Sequence, residues 1–363
     1  MILAIYDLSG IQSFIFAGNK LKEMIGASLL VHNALFKNIP ELVYENPDKW
    51  TEKSNPFVFN ANNTNGQIVY IGGGNALMAF SNETTYKLFT RDLQKKVFEQ
   101  TGGALRLCHG MIDTEEETHA ACSLAKIMKA LYEELEDNKQ STPSITTAKG
   151  FSLNTHDNVT FEPVVLVAKN RYAPRSTYLK LEKRQEEIKT KESFFQHKDL
   201  KFINKYDEFQ EKDTKNFLAV IHIDGNGMGT GIQNFIEGLD SNQGLVANLN
   251  ELRRLSAEIN KAYTDALHET MDRVPWRVNK NDEVFFRPII LDGDDFTCIC
   301  ASENAFQLVK AFMDNLLKKE ITGLTDKNGS LSAAAGIAFV KYHFPFHTAY
   351  TPYNMPPTRL PWS

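Results

Sequence analysis

The sequence lacks long apolar runs and any excess of basic residues. No run of about eighteen apolar residues occurs, so a membrane-spanning helix is not predicted. The 40 Lys and Arg residues are outnumbered by 45 Asp and Glu residues, and the net charge of −5 gives no general attraction to a polyanion. The sequence enters a strand pattern at once, without a signal segment, and we therefore expect a cytoplasmic location with no membrane contact.

Cysteine is also scarce. The 4 cysteines, Cys108, Cys122, Cys298 and Cys300, lack the Cys-x-x-Cys spacing of a zinc site. Cys298 and Cys300 alternate along a predicted strand and therefore share one face. We expect all four to be reduced core residues and not metal ligands.

What is present is an ordinary globular composition that repeats an element pattern. The 363 residues, 42% of them hydrophobic, are enough for two domains with cores. Each half opens with an apolar strand that ends in an aspartate, followed by a turn and a helix. The strands are residues 2–6 and 217–223, the aspartates are Asp7 and Asp224, and the helices are residues 20–35 and 245–271. Each half then has a hairpin, a second helix that ends near Val97 or Lys319, and a last strand over 104–112 or 331–340.

The order strand, helix, strand, strand, helix, strand is a ferredoxin-like unit, so an α+β fold with two such domains in tandem is predicted. We place the first, degenerate unit at 1–136 and the second, catalytic unit at 216–350. A connecting insertion occupies 137–215, and a proline-rich tail occupies 351–363. Within the insertion, the charged run 181–192 mixes signs and predicts a solvated helix face.

Three carboxylates mark the candidate site of the second unit. Asp294 and Asp295 follow a Gly-containing turn, and Asp224 ends a strand that is their neighbour in this topology. Hard oxygen donors at adjacent strand ends suit Mg²⁺ or Mn²⁺ carrying a nucleoside triphosphate. Two alternatives involve no ligand. They are a type I′ turn at Asp292-Gly293 with a solvated tip, and a ligand-free loop after Asp224.

Glycines surround these carboxylates and let backbone N–H groups approach phosphate oxygens. The candidate nucleotide-binding residues are Gly225, Asn226, Gly227, Met228, Gly229, Asp292 and Gly293 in the second unit and Gly73 and Gly74 in the first. In the first hairpin Gly74-Asn75 stands where Asp294-Asp295 stands in the second. The first unit therefore has no carboxylate pair there, and we do not expect it to catalyse.

These motifs resemble the large polymerase-like subunit of type III CRISPR effector complexes, which has paired palm domains of the nucleotidyl-cyclase type. The segments 7–15 and 26–30 are similar to its first palm, and Asp292-Gly293-Asp294-Asp295 is similar to the Gly-Gly-Asp-Asp signature of its second. Gly336-Ile337-Ala338 with Pro345 is similar to the strand and turn that close that palm.

The resemblance implies an enzyme that joins ATP into short, often cyclic, oligoadenylates within a ribonucleoprotein of partner subunits, guide RNA and target RNA. Asp224, Asp294 and Asp295 would hold the metals, and Ser28 and Ser256 would face adenine; a helical serine bonded to a backbone carbonyl is the alternative for both. Asp292 replaces the first signature glycine, and the nuclease domain and zinc insertion of the family have no counterpart, so DNA cleavage is not predicted.

Two other functions stay open. A stand-alone nucleotide or diguanylate cyclase shares the palm, but usually carries one active palm per chain, which the internal duplication disfavours. A catalytically degenerate palm pair could instead bind nucleotide as the scaffold of a ribonucleoprotein complex. Turnover of ATP, turnover of GTP, and binding without turnover would separate the three readings.

Overall fold

The computed structural model describes residues 1–18, 20–47, 50, 56–115, 123–141, 155–158, 160, 162–168, 171–190, 195–198, 200–204, 217–324 and 331–341. Among the sequence-based expectations, Cys122, Pro345 and the tail 351–363 lie outside these residues.

Before α5, the described residues of the first unit form four strands and four helices. They are β1 Ile2–Ser9, α1 Ile11–Phe16, α2 Leu21–Phe36, α3 Asn38–Val43, β2 Gln67–Gly72, β3 Asn75–Phe80, α4 Glu83–Thr101 and β4 Arg106–Asp113. The sequence sets the ends of α4 clearly. Asn82 caps its start by accepting a hydrogen bond from the backbone N–H of Thr85, and Gly102 ends it in the left-handed conformation at φ 68°.

Helix α5 Leu124–Ser141 begins within the first unit and ends in the insertion, and it packs on β4 and β1. The described elements that follow in the insertion are β5 Leu166–Ala168, β6 Arg171–Ala173, α6 Arg175–Thr190 and β7 Lys201–Phe202. Helix α6 crosses α2 so closely that a Cβ built on Gly26 would lie 1.8 Å from the carbonyl oxygen of Lys180. Only a glycine at position 26 permits this approach.

The second unit repeats the first in order. Its elements are β8 Phe217–Gly225, α7 Met228–Glu237, α8 Leu245–Arg273, β9 Glu283–Val284, β10 Phe286–Asp292, β11 Asp295–Ala301, α9 Ala305–Leu316 and β12 Ala333–Lys341. Short 3-10 turns cover Ser241–Gln243 and Ser302–Asn304. The helical spacing predicted for α8 is confirmed, because Leu249, Leu252, Ile259, Tyr263 and Leu267 are all buried.

The two four-stranded antiparallel sheets have the same topology. Their strand orders are β2-β3-β1-β4 and β10-β11-β8-β12, in which the first strand of each unit is central and the last is at the edge. This is the ferredoxin-like order, so the predicted α+β fold with two such units is confirmed. Cys298 and Cys300 are free and fully buried in β11, and Cys108 is free and buried in β4.

Both hairpins carry a bulge at the same place. In each hairpin, a side chain of the other unit donates a hydrogen bond to a backbone carbonyl at the bulge. The register shifts between Ile68 and Tyr70 in the first hairpin and between Pro288 and Ile290 in the second. The bulge frees a carbonyl from the ladder. Ser28 on α2 donates its hydroxyl to the carbonyl of Ile289. Reciprocally, Arg253 on α8 donates Nη1 to the carbonyl of Val69 at 2.9 Å. The units are therefore joined by a pseudo-twofold exchange of side chains.

The solvated face predicted for the charged run 181–192 is wrong in part. Arg184 and Glu187 of α6 are about 5–6% exposed and pair with each other, and Glu187 Oε1 also accepts from Arg287 Nη2 of β10 at 2.8 Å. The sequence pattern predicts a solvated face because Arg287, the ion-pair partner of Glu187, lies 100 residues away along the chain. The ion pair joins the insertion to the second unit.

No described helix combines the length and the apolar character needed to cross a membrane.

Candidate functional site

Asp224 and Asp295 lie side by side at the edge of the sheet where β8 ends and β11 begins. The ladder pairs Phe296 with Ile223, and this register puts the next residues, Asp295 and Asp224, opposite each other on one face of the sheet. His222 shares that face, with Nδ1 at 3.2 Å from Asp295 Oδ1. Two like charges directly opposite repel each other, so the pair favours a cation between them.

The titration of these groups reflects their proximity. Burial raises the pKa of Asp224, and the neighbouring Asp295 carboxylate raises it further. Burial alone would lower the pKa of His222, but its hydrogen bond with Asp295 and the charges of Asp295 and Asp224 raise it overall. A positive group is therefore stabilised at this position.

Asp294 turns to the other side of the strand. A Cβ built on Gly225 would lie 2.8 Å from Asp294 Oδ2, so the carboxylate lies directly over that glycine. Burial raises the pKa of Asp294 to about 6, and Asp224 and Asp295 contribute to the rise. Asp294 is therefore close enough to sense both other carboxylates, although its side chain has a different direction.

Tyr263 of α8 lies beneath this position. The same hypothetical Cβ on Gly225 would lie 2.6 Å from the Tyr263 hydroxyl. Tyr263 is fully buried, and its hydroxyl has no hydrogen-bond partner among the described residues. Burial raises the pKa of Tyr263, and the charges of Asp294 and Asp224 add to this. Buried hydroxyls normally have a partner, so this one marks an incomplete polar site.

The carboxylates fit a hard divalent cation by chemistry, but they are not a preformed cluster. Within the described ranges, no three His, Cys, Asp or Glu side chains converge closely enough to hold a metal ion. The donor set of Asp224, Asp294 and Asp295 is nevertheless entirely oxygen, as Mg²⁺ and Mn²⁺ prefer, and an orphaned hydroxyl lies beside it. Asp224 and Asp295 would hold the ion from one face, and the charge of Asp294 would favour its binding from the other side of the strand.

The glycine-rich loop leads directly into a helix. Gly227 has φ 66° and is the N-cap of α7, a conformation that favours glycine. The first turn of a helix leaves N–H groups without intrahelical acceptors, which makes it a seat for phosphate. Asn226 is held by its N–H to the Ser332 carbonyl at 2.9 Å, whereas a Cβ on Gly229 would meet no atom within 4 Å. Met228 is buried, so it contributes its backbone and not its side chain.

A cleft of about 810 Å³ opens between α7 and α5, and Gly229 is one of its lining residues. Apolar and aromatic side chains form much of its wall, and the charged lining residues are Lys126, Lys129, Glu133, Glu136, Asp137 and Glu237. Carboxylates outnumber lysines in this lining, which disfavours a triphosphate. We therefore expect the triphosphate to bind on the side of the glycine-rich loop that carries Asp224.

The predicted residues at the hairpins and helices contact one another between units. Asp292 accepts from the backbone N–H groups of Gly73 at 2.9 Å and Gly74 at 2.7 Å. Ser28 bonds to the Ile289 carbonyl, as the alternative for a buried serine expected. Ser256 is half-buried, and a Cβ built on Gly72 would lie 2.9 Å from its Oγ.

The turn of the second hairpin also differs from the type I′ alternative. The ladder pairs Asp292 with Asp295, so Gly293 and Asp294 are the two loop residues. Only Gly293 has positive φ, at 61°, which is the pattern of a type II′ turn. In the first hairpin Gly73 and Gly74 both have positive φ. Asp294 is thus placed at the tip by the turn itself.

In the first unit, a lysine forms an ion pair with Asp7, the aspartate that corresponds to Asp224. Asp7 is opposite Asn75 in the ladder, where the second unit has Asp224 near Asp295. Lys139 of α5 brings its Nζ to 3.2 Å from Asp7 Oδ2. An ammonium group therefore stands where the second unit would place a metal ion.

Sequence reasoning missed three of these side chains. His222 had a signal, because it precedes Asp224 by two residues and must share its face of the strand. Tyr263 was assigned to the core by its helical spacing, which is correct but hides the direction of its hydroxyl. Lys139 lies 132 residues from Asp7, and nothing local relates them.

The sequence of the second unit matches a known family. Residues 217–354 match the model of the Cas10/Cmr2 second palm domain. The second unit is similar to the Cas10/Cmr2 palm. This match confirms the resemblance to a palm-domain subunit of type III CRISPR complexes that the motifs indicate. No curated protein matches the chain in sequence.

Solved structures share the fold over nearly the whole chain. The Csm1–Csm4 subcomplex of the type III-A CRISPR-Csm interference complex aligns with a TM-score of 0.58 and 14% identity, covering 97% of this chain and 52% of that one. The Csm1–Csm4 cassette in complex with cA4 aligns with a TM-score of 0.57 and 15% identity, covering 96% and 51%. The cassette with AMPPNP aligns with a TM-score of 0.57 and 14% identity, again covering 96% and 51%. The chain thus spans about half the length of the structures that it matches.

Proposed function

We propose that this chain is a metal-dependent nucleotidyltransferase that joins ATP into oligoadenylates, as a palm-domain subunit of a type III CRISPR ribonucleoprotein. The observation that carries the proposal is the side-by-side placement of Asp224 and Asp295 at the edge of a sheet that matches the Cas10/Cmr2 second palm. Structural relatives have been solved in complex with AMPPNP, pppApA and cA4, which are the substrate analogue, intermediate and product classes of such a reaction.

The residues of this chain would divide the work as follows. Asp224 and Asp295 hold Mg²⁺ or Mn²⁺, with Asp294 at the tip of the hairpin. When bound, the ion would neutralise triphosphate charge and favour ionisation of the attacking 3′-hydroxyl. The backbone from Gly225 to Gly229 and the N-terminus of α7 bind phosphate oxygens. His222 bonds to Asp295 and fixes the direction of that carboxylate.

The two units would supply different parts of the reaction. The first hairpin offers no carboxylate at Gly74 and Asn75, and Lys139 already neutralises Asp7. The first unit therefore seats a nucleotide without a metal of its own, and the second unit carries the chemistry. We propose ATP as the nucleotide, and guide RNA, target RNA and partner subunits as the assembly in which the chain acts.

Pyrophosphate release from labelled ATP with Mn²⁺ tests the proposal directly. We compare the parent chain with Asp224→Asn and Asp295→Asn, and use Asp265→Asn as control, because Asp265 pairs with Lys261 on the exposed side of α8. The assay is run with the chain alone and with its partner subunits and RNAs. Loss of at least about a hundredfold in both site variants, with the control unchanged, is expected for loss of a charge-stabilising group.

Two outcomes would replace the proposal. Turnover of GTP but not ATP would indicate a diguanylate cyclase. Binding of ATP without turnover in any assembly would indicate a nucleotide-binding scaffold, a function that the absence of a preformed three-ligand group among the described residues favours.

A further inference from the structure

The two hairpins meet tip to tip through one carboxylate. Asp292, at the end of β10, directs Oδ1 to the N–H of Gly73 and Oδ2 to the N–H of Gly74. Both glycines have positive φ, at 62° and 74°, so their successive N–H groups turn toward the same side. Such a turn is a backbone anion site, and here it is filled by a residue of the other unit.

The contact is close on both sides. A Cβ built on Gly293 would lie 2.9 Å from Gly73 Cα, so the backbones themselves touch. The Gly293 N–H in turn donates to Asn260 Oδ1 of α8 at 3.1 Å. Asp292 therefore holds a junction in which the second hairpin is fixed to the first hairpin and to α8 at once.

This junction adjoins the site carboxylates. Asp292 is opposite Asp295 in the hairpin ladder, and Asp294 is the second residue of the loop between them. Any change in the angle between the hairpins must therefore move Asp294 and Asp295 relative to Gly73 and Gly74. The first unit has glycine at the corresponding position, Gly72, which cannot make a reciprocal contact.

We propose that Asp292 is a positioning residue that fixes the distance between the nucleotide seats of the two units. This inference rests on the proposed function, because it assigns one nucleotide to each unit. The Asp292 carboxylate accepts hydrogen bonds from two backbone N–H groups of the first hairpin, one on each of its oxygens. Asp292 then clamps the two hairpins together at the position where the Gly-Gly-Asp-Asp signature has its first glycine. Replacing Asp292 by glycine should therefore lower the activity of the enzyme.

The decisive variant is Asp292→Gly, with Asp292→Asn as an intermediate change and Asp265→Asn as the control. Amide hydrogen exchange of the peptide that contains Gly73 and Gly74 reports the clamp without any turnover. We expect these amides to exchange at least about tenfold faster in Asp292→Gly, to be partly protected in Asp292→Asn, and to be unchanged in the control. Equal protection in parent and Asp292→Gly would overturn the clamp.

Kinetics then test the positioning role. Misplacing reacting groups by about 1 Å can cost a hundredfold in rate, so we expect kcat of Asp292→Gly to fall by at least about tenfold while the dissociation constant for ATP changes by less than about threefold. Equal loss of ATP affinity and kcat would reduce Asp292 to a structural role. Unchanged kcat despite faster exchange would show that the clamp does not position the substrates.

The two proposals fail in different ways. If the parent chain in its full assembly does not release pyrophosphate, the nucleotidyltransferase proposal is wrong, and the exchange data still decide whether Asp292 joins the hairpins. If the parent turns over ATP but Asp292→Gly is equally active, the enzyme proposal stands and the positioning role is wrong.

Discussion

The hydroxyl of Tyr263 lies beside the carboxylate of Asp294, at the same glycine, and has no hydrogen-bond partner among the described residues. A buried hydroxyl without a partner costs about 1 to 3 kcal/mol. The unpartnered hydroxyl therefore lowers the stability of the metal-free protein. An ion bound at the neighbouring candidate cation site, with its water, could supply the missing hydrogen-bond partner.

Tyr263→Phe should consequently stabilise the metal-free protein by about 1 kcal/mol, because it removes only the unpartnered oxygen. The matched control is Tyr86→Phe, since the Tyr86 hydroxyl bonds to His109 Nδ1 at 2.7 Å and its loss should destabilise by about 1 kcal/mol. Urea unfolding in EDTA measures both. A larger loss of stability in Tyr263→Phe than in Tyr86→Phe would show that the hydroxyl is in fact satisfied.

Mn²⁺ affinity should fall as the pH drops through about 6. The pKa of Asp294 is raised to about 6 by burial and by Asp224 and Asp295, so below that pH a proton competes with the ion. Calorimetric titration of Mn²⁺ between pH 5 and 8 should show the step in the parent and a flatter profile in Asp294→Asn. A parent profile that is level from pH 5 to 7 would contradict it.

In the absence of metal, the contribution of Asp294 to folding stability depends on pH in the opposite direction to the Mn²⁺ affinity. Folded Asp294 keeps its proton to a higher pH than the unfolded chain, because its pKa is raised above its ordinary value. Its contribution to the free energy of unfolding is thus present at low pH and lost as the pH rises through about 6. The difference in stability between parent and Asp294→Asn, measured in EDTA, should change across this interval in that direction.

Gly225→Ala should destabilise the protein by about 1 to 3 kcal/mol, because its Cβ would meet the Tyr263 hydroxyl at 2.6 Å and Asp294 Oδ2 at 2.8 Å. Adding Tyr263→Phe should recover part of this loss by removing the nearer atom. Gly229→Ala is the stability control, since nothing lies within 4 Å of its Cβ. Strict additivity of the two changes in a thermal unfolding series would be inconsistent with the contact.

Lys180→Met should remove a pH dependence of stability. Lys180 is 2% exposed and donates Nζ to the Phe14 carbonyl at 2.6 Å, and burial lowers its pKa to about 8. The unfolded chain binds the proton more tightly, so stability due to this group increases from about pH 8 toward the ordinary lysine pKa. The stability of the parent relative to Lys180→Met should therefore increase between pH 7.5 and 9.5. A constant difference would mean that Lys180 is hydrated.

The sequence was sufficient for the repeated architecture because the elements are long and strongly patterned. The predicted helix 245–271 corresponds to α8 Leu245–Arg273, and the predicted last strand 331–340 to β12 Ala333–Lys341. Where α7 forms, the sequence pattern predicts only a glycine-rich turn, because Gly229 and Gly231 lower helix propensity. Its tertiary packing outweighs that preference.

The site was less predictable because its geometry depends on strand parity. Three aspartates near two strand ends do not reveal that Asp224 and Asp295 share a face while Asp294 lies over Gly225. Nor does the signature show that Asp292 bonds to glycines 218 and 219 residues away. Such contacts arise from the packing of two units, which local patterns do not encode.

The lysine beside Asp7 has a consequence for how the halves respond to their surroundings. Because the ammonium of Lys139 is covalently tethered to α5, neither dilution nor a chelator can remove it from the first unit. Among the described residues no lysine or arginine forms an ion pair with Asp224, which has His222 and Asp295 beside it. One sheet edge is thus neutralised from within the chain, and under the proposed function the other would respond to the supply of divalent ions.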